Sequence, residues 1–380
     1  MSHSSVDAPD RHGAMFNPQR LTFARKRRGM DKTRLAHALG VQLRAITGYE
    51  KGEYEPKPEV LERLVEVLSF PHEFFIQGDI EELSPMTASF RSMSKMSASK
   101  RDIALSSGAV ALLLNKAIED RFKLPHIDLP DFSREPTPEA AAAALRRHWG
   151  LAEQPIKNMI HLLESKGIRV FSLAVDVQEV DAFSLWREDQ PLVFLNTNKS
   201  SEHSRFDSAH ELGHLALHRH GELKKLDGSQ SVEKEANAFA SAFLMPPSSV
   251  LAYAPPFPTL AQLVERKKVW AVSVAALNYR MHRLGITTEW QYRELCIQIA
   301  RSGYRKDEPE SMQRETSQIL AKVFTALRED GIGKSHIANE LNISVGDLDQ
   351  LVFGLVLHGL DGGKKTALTR SSRPTLTVLK

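Results

Sequence analysis

The chain of 380 residues contains a single cysteine, Cys296. No internal disulfide can form, which suits a reducing cytoplasm, and a cysteine-rich metal site is excluded. Long apolar runs are missing too. The longest, from Gly108 to Leu114, ends at Asn115, well short of the ~20 residues of a membrane span. The opening segment MSHSSVDAPDRHGAMF has no apolar signal region. A soluble, cytoplasmic protein with no membrane partner is expected. A strong excess of one charge is also lacking: the net charge is +3, so the whole chain does not read as a polyanion binder. No internal repeat of fixed period is visible.

What is there is uneven. At this length two or three domains are expected, and 42% hydrophobic with 26% charged residues predicts globular folding. Between Asn17 and Pro58 ten Lys/Arg face four Asp/Glu, a local charge of +6 that leaves the remainder mildly acidic. Such a basic unit suits nucleic-acid contact at one end. Helical patterning fills 17–75. A Ser/Met-rich linker and a long helix occupy 80–135. Helices resume at 136 and give way to short β-rich runs, IRVFSLAV, DAFSLWR and PLVFLN, read as a small meander. Helices then return, with a domain boundary near 255, a helical region over 256–360 and a disordered tail over 361–380. The fold class is mainly α with a small β-sheet (α+β).

In the basic unit, Asp31 is placed to cap a helix and Gly40 sits where a tight helix-to-helix turn needs positive φ. The following helix, about Gln42 to Glu50, presents Gln42, Leu43, Arg44, Thr47 and Gly48 outward. Gln and Arg side chains can bind base edges in a bidentate manner. Lys32 and Lys51 are candidate phosphate contacts.

The segment LAHALGVQLRAITGYEKG resembles the XRE, or lambda-repressor/Cro-like, helix-turn-helix family over residues 17–75, through Leu35, Ala36, Gly40, Val41, Tyr49, Glu50 and Gly52. The family often has Gln where Lys32 stands. The resemblance implies a five-helix domain that binds double-stranded operator DNA, as a homodimer because such modules read paired half-sites.

A second signal is AHELGH. His210 and His214 are four residues apart, so their rings lie one turn apart on one helix face and can grip one metal ion. Glu211 can act as general base towards a water on that metal. A third protein ligand is needed. His220 has metzincin spacing but Leu217 replaces the required midway glycine. His218 is too far along one straight helix and reads as structural, stabilising the helix C-terminus. Glu233 and Glu235 lie on a second helix, roughly 200° apart, so both cannot serve. Glu233 shares a face with Asn237, which can orient a ligand histidine.

HELGHLALH followed by EKEANAFASAFLMP is similar to the ImmA/IrrE family of metallopeptidases, over about residues 140–250. The resemblance implies a gluzincin-like core, zinc (or manganese) held by His210, His214 and Glu233, and Glu211 as base. It also implies a protein substrate, either the chain itself or a partner repressor or antitoxin. Self-cleavage would fall in the linker Ser84 to Lys100. The alternative is a DNA-binding regulator whose metal domain senses metal or ligand without catalysis. His203, Arg205 and Tyr253 are candidate oxyanion stabilisers. QPLVFLN is read as an edge strand for substrate or an ordinary core strand. LREDGIGKSHIANELNISVGDLDQLVFG has helix-turn-helix spacing, but its Asp347 and Asp349 would meet phosphate with the wrong sign.

Overall fold

A computed structural model describes residues 15–83, 97–173, 181–219, 229–255 and 257–356. The first helices are α1 (Pro18–Arg27), α2 (Lys32–Leu39), α3 (Leu43–Lys51) and α4 (Pro58–Leu68), closed by a 3-10 turn at His72–Ile76. Their ends follow local chemistry. Asn17 caps α1, Asp31 accepts the Arg34 amide at 2.7 Å at the start of α2, and Gly40 ends α2 in the left-handed region at φ 63°. Leu21, Leu35, Leu39, Ile46, Leu64, Leu68 and Phe74 bury one apolar face from each element in a common core.

The long helix α5 spans Ala98–Glu119, with Ser97 as its cap. Then come α6 (Pro138–His148), capped by Thr137, and α7 (Met159–Ser165). The strands are β1 (Arg169–Ser172), β2 (Ala182–Arg187) and β3 (Gln190–Leu195). The sheet is not a meander. Its order is β1-β3-β2, with β1 and β3 parallel and β2 and β3 antiparallel. The tight turn at Glu188–Asp189, where Glu188 has φ 53°, can join only antiparallel neighbours. QPLVFLN is therefore the central strand, buried from Pro191 to Leu195, and not an edge.

Helices α8 (Ser201–Leu217) and α9 (Ser229–Leu244) cross in close contact, and α8 also covers β2 and β3. Gly213 sets the approach: a Cβ there would stand 3.0 Å from Phe239 Cδ1 and 3.3 Å from the Ala236 backbone. The remaining helices are α10 (Pro247–Tyr253), α11 (Leu260–Trp270), α12 (Val274–Arg283), α13 (Glu289–Arg301), α14 (Gln318–Glu329), α15 (Lys334–Glu340) and α16 (Val345–Val352). This C-terminal region braces the core. Glu315 accepts the Met159 and Ile160 amides and pairs with buried Arg205. Glu164 in turn accepts the Gln318 and Ile319 amides. Asp347 does not face solvent; it is 1% exposed and meets Arg27 and Arg28 of the first domain. The tail 361–380 and His220 lie outside the described residues.

Candidate metal centre

Helix α8 is capped by Ser200 and carries the two histidines on its cleft-facing side. Their Nε2 atoms are 3.0 Å apart. Helix α9 brings the Glu233 carboxylate across both, Oε2 at 3.6 Å from His210 Nε2 and Oε1 at 3.4 Å from His214 Nε2. Ligands of a tetrahedral ion with bonds of ~2.0–2.1 Å lie roughly 3.3 Å from one another. The two nitrogens, and each nitrogen with the carboxylate oxygen facing it, are thus spaced much as the ligands of a tetrahedral ion are. Two imidazoles and one carboxylate suit zinc; manganese prefers a more oxygen-rich set.

Asn237 Oδ1 lies 3.2 Å from His210 Nδ1 and can accept a hydrogen bond from it, which leaves the His210 Nε2 free to ligate. Glu235 points elsewhere: its Oε2 lies 3.4 Å from His218 and its Oε1 accepts the Ser231 hydroxyl at 2.7 Å. Of the rival carboxylates, only Glu233 reaches the histidine pair. Burial alone would disfavour the Glu233 anion, yet His210 and His214 hold its pKa well below the ordinary range. Burial likewise lowers His210, but the Glu233 hydrogen bond and the Glu211 charge outweigh it and leave it raised.

Glu211 shares the cluster with His210 and His214, their ligand atoms all lying within 4.8 Å of one another. It is 2% exposed, and Ser184 of β2 donates to its Oε2 at 2.6 Å. Ser184 carried no signal in the sequence, because its position opposite α8 depends on the sheet order. Asp207, one turn before Glu211, was missed as well. It is 8% exposed, its Oδ2 has no hydrogen-bond partner among the described residues, and burial pushes its pKa up to about 7.

The other candidates separate. His218 is the C-cap residue of α8, and burial followed by the His214 charge lowers its pKa to about 4. It is thus a neutral ring, and the expected charge–dipole contribution at the helix end is absent. Arg205 is buried against Glu315 and the Ile156 carbonyl. Tyr253 is 49% exposed and packs edge-on against Trp270. His203 alone lies on the metal-facing side of α8, seven residues before His210 and 3.6 Å from Asp207.

In the N-terminal domain, Gln42, Leu43 and Arg44 are exposed at the start of α3, and Lys51 is exposed at its end. Thr47 is half-buried, its hydroxyl bonded to the Leu43 carbonyl at 3.2 Å. Gly48 is not outward: Tyr54 covers it so closely that a Cβ would meet the ring at 2.4 Å. The Lys32 ammonium is 2.9 Å from Glu50, which also pairs with Arg25 at 2.6 Å. A phosphate contact by Lys32 is therefore shared with an internal ion pair.

Comparison with known families agrees with this division. Residues 163–282 match the family model described as the IrrE N-terminal-like domain, a peptidase family. Residues 23–75 match the model described as Helix-turn-helix. No curated protein matches the chain. No helix among the described residues is long and apolar enough to cross a membrane. The chain is a fusion of an XRE-type helix-turn-helix DNA-binding domain with an IrrE/ImmA-like metallopeptidase-family domain.

Proposed function

We propose that this regulator is a zinc endopeptidase that cuts a protein, itself or a partner repressor or antitoxin, and so switches the genes its DNA-binding domain controls. The observation that carries this reading is the convergence of His210, His214 and Glu233 beside Glu211. His210 and His214 from α8 and Glu233 from α9 would hold the metal, with Asn237 fixing the His210 tautomer. Zinc bound there supplies a Lewis acid for the scissile carbonyl. Glu211 takes the proton of the attacking water and returns it to the leaving amine. Ser184 holds the Glu211 carboxylate towards the cleft. Strands β1 and β2, and not β3, are the edges of the sheet among the described residues, and β2, which carries Ser184, is the edge on which an extended substrate can add.

In the DNA-binding domain, Gln42, Leu43 and Arg44 read base edges, with Thr47 at the margin and Lys32 and Lys51 on phosphates. A homodimer sets two such helices on paired half-sites. Self-cleavage between Ser84 and Lys100 would part reader from enzyme; residues 84–96 of that segment lie outside the described residues.

The test is intact-mass spectrometry of the zinc-loaded protein, with and without duplex DNA and with candidate repressors. Products from wild type that vanish in Glu211→Gln support the reading. One feature favours a second reading, a metal sensor without catalysis: Glu211 is only 2% exposed. Metal-dependent DNA binding that is unchanged in Glu211→Gln, with no product from any substrate, would select it.

A further inference from the structure

Beside the packing of α1 on α5, where Ser99 donates to the Gly29 carbonyl at 3.1 Å, two charge clusters at separate places join the DNA-binding domain to the rest of the chain. In the first, Arg27 and Arg28 at the end of α1 converge on Asp347 of α16. Arg28 forks onto it, Nη1 to Oδ1 and Nη2 to Oδ2, both at 2.7 Å. Arg27 Nη2 lies 3.0 Å from Oδ1 and donates to Gln350 Oε1 at 2.5 Å. Arg28 is already fixed within its own domain. It donates to the Leu68 and Ser69 carbonyls, and its guanidinium lies 4.6 Å over the Phe70 ring. Asp347 thus receives a guanidinium that is set before docking. Helix α16 packs on β1, and Gly354 beyond it stands against Thr197, which hydrogen-bonds Ser172 at the end of β1.

In the second cluster, Glu81, just past the 3-10 turn, takes Arg187 at the end of β2. Arg187 Nε lies 2.8 and 2.9 Å from the two carboxylate oxygens. Two residues on, Leu83 fits a notch in α5 at Gly108, where a Cβ would meet Leu83 Cδ1 at 2.4 Å. Arg187 is three residues from Ser184, the partner of Glu211, and next to Trp186, whose indole donates to the Leu215 carbonyl of α8 at 3.3 Å.

The clusters differ in kind. Asp347 and the Arg27 side chain are 1% and 2% exposed, so removing Asp347 strands the buried Arg27 charge. Glu81 and Arg187 are 48% and 41% exposed, and an exposed pair contributes little and opens readily. One is a buried pin; the other is a light hook on the edge strand that carries Ser184.

We propose that the two clusters form a latch that reports the seating of the DNA-binding domain to strand β2. When the pin at Asp347 releases, the domain lifts, Glu81 is drawn off Arg187, and the strand holding Glu211 loosens. Gln42, Leu43 and Arg44 stay exposed while the domain is seated, so DNA can engage it without opening the latch first.

Hydrogen exchange on the full chain tests this, and its readout is independent of whether Glu211 cuts any substrate. Asp347→Asn is expected to raise exchange about tenfold in α1 and, because the hook is an exposed pair, about two- to fivefold in β2, residues 182–187. Glu81→Gln is expected to raise it in β2 alone. In the double variant β2 should exchange no faster than in Glu81→Gln, since the hook is already gone. Should Asp347→Asn not fold, Arg28→Lys keeps the charge but loses the fork and serves in its place. Faster exchange confined to α1, with β2 at the wild-type rate, would overturn the proposal, as would unchanged exchange in both places.

Discussion

Ser184 on β2 donates its hydroxyl to Glu211 on α8 across 2.6 Å, between two residues that are each 2% exposed. A buried carboxylate deprived of such a donor bears its own desolvation cost. Ser184→Ala should therefore cost about 1–3 kcal/mol of stability at neutral pH. Chemical denaturation of wild type and variant measures it. Zinc content should not change, because Ser184 bonds the proposed base Glu211.

On the proposed reading Asn237 acts on the metal through His210: its Oδ1 lies 3.2 Å from Nδ1 and would select the tautomer whose Nε2 faces the site. Asn237→Ala should weaken zinc binding by about 10–100-fold without abolishing it. A competition titration against a chelator of known affinity checks this. Unchanged affinity would remove Asn237 from the site.

Asp207 gives a pH dependence with a definite sign. Its pKa is pushed up to about 7 by burial, against about 3.9 in an unfolded chain. The folded state keeps the proton over a range where the unfolded state has released it. Stability is then present at low pH and falls as pH rises from about 4 to about 7. Asp207→Asn, which carries no such charge, should match wild type near pH 4 and exceed it by roughly 2–4 kcal/mol at pH 8. The measurement belongs on zinc-free protein, since a cation nearby favours the Asp207 anion and shrinks the effect.

On the DNA side, Arg44 and Lys51 should behave differently. Arg44 is exposed at the start of α3, where the proposed function has base edges read. Arg44→Ala should cost about 1–3 kcal/mol and relax sequence preference at one position. Lys51→Ala should weaken binding to all sequences and reduce the slope of log affinity against log salt by about 1. Binding titrations at several salt concentrations separate the two.

The features legible from sequence were those with short-range causes. Asp31 and Gly40 act within a few residues, so the turn before the recognition helix could be read directly. His210 and His214 are one helical turn apart, and Glu233 and Asn237 share a face by the same period. Glu233 lies beside His214 and Glu235 beside His218, the separation that their helical spacing predicts. What could not be read depends on long-range placement. The parallel pairing of β1 with β3 puts β2 outside, and only that order brings Ser184 over Glu211. Gly48 looks outward by helical period, but Tyr54 folds back over it. Asp347 looks like a misplaced charge on a DNA-reading helix until Arg27 and Arg28 arrive from the far end of the chain.

The most direct test of the central claim is the zinc content and affinity of wild type, Glu233→Gln and Glu235→Gln. The account predicts stoichiometric zinc in wild type, loss or strong weakening in Glu233→Gln, and wild-type binding in Glu235→Gln. Full zinc binding in Glu233→Gln, or loss confined to Glu235→Gln, would contradict it.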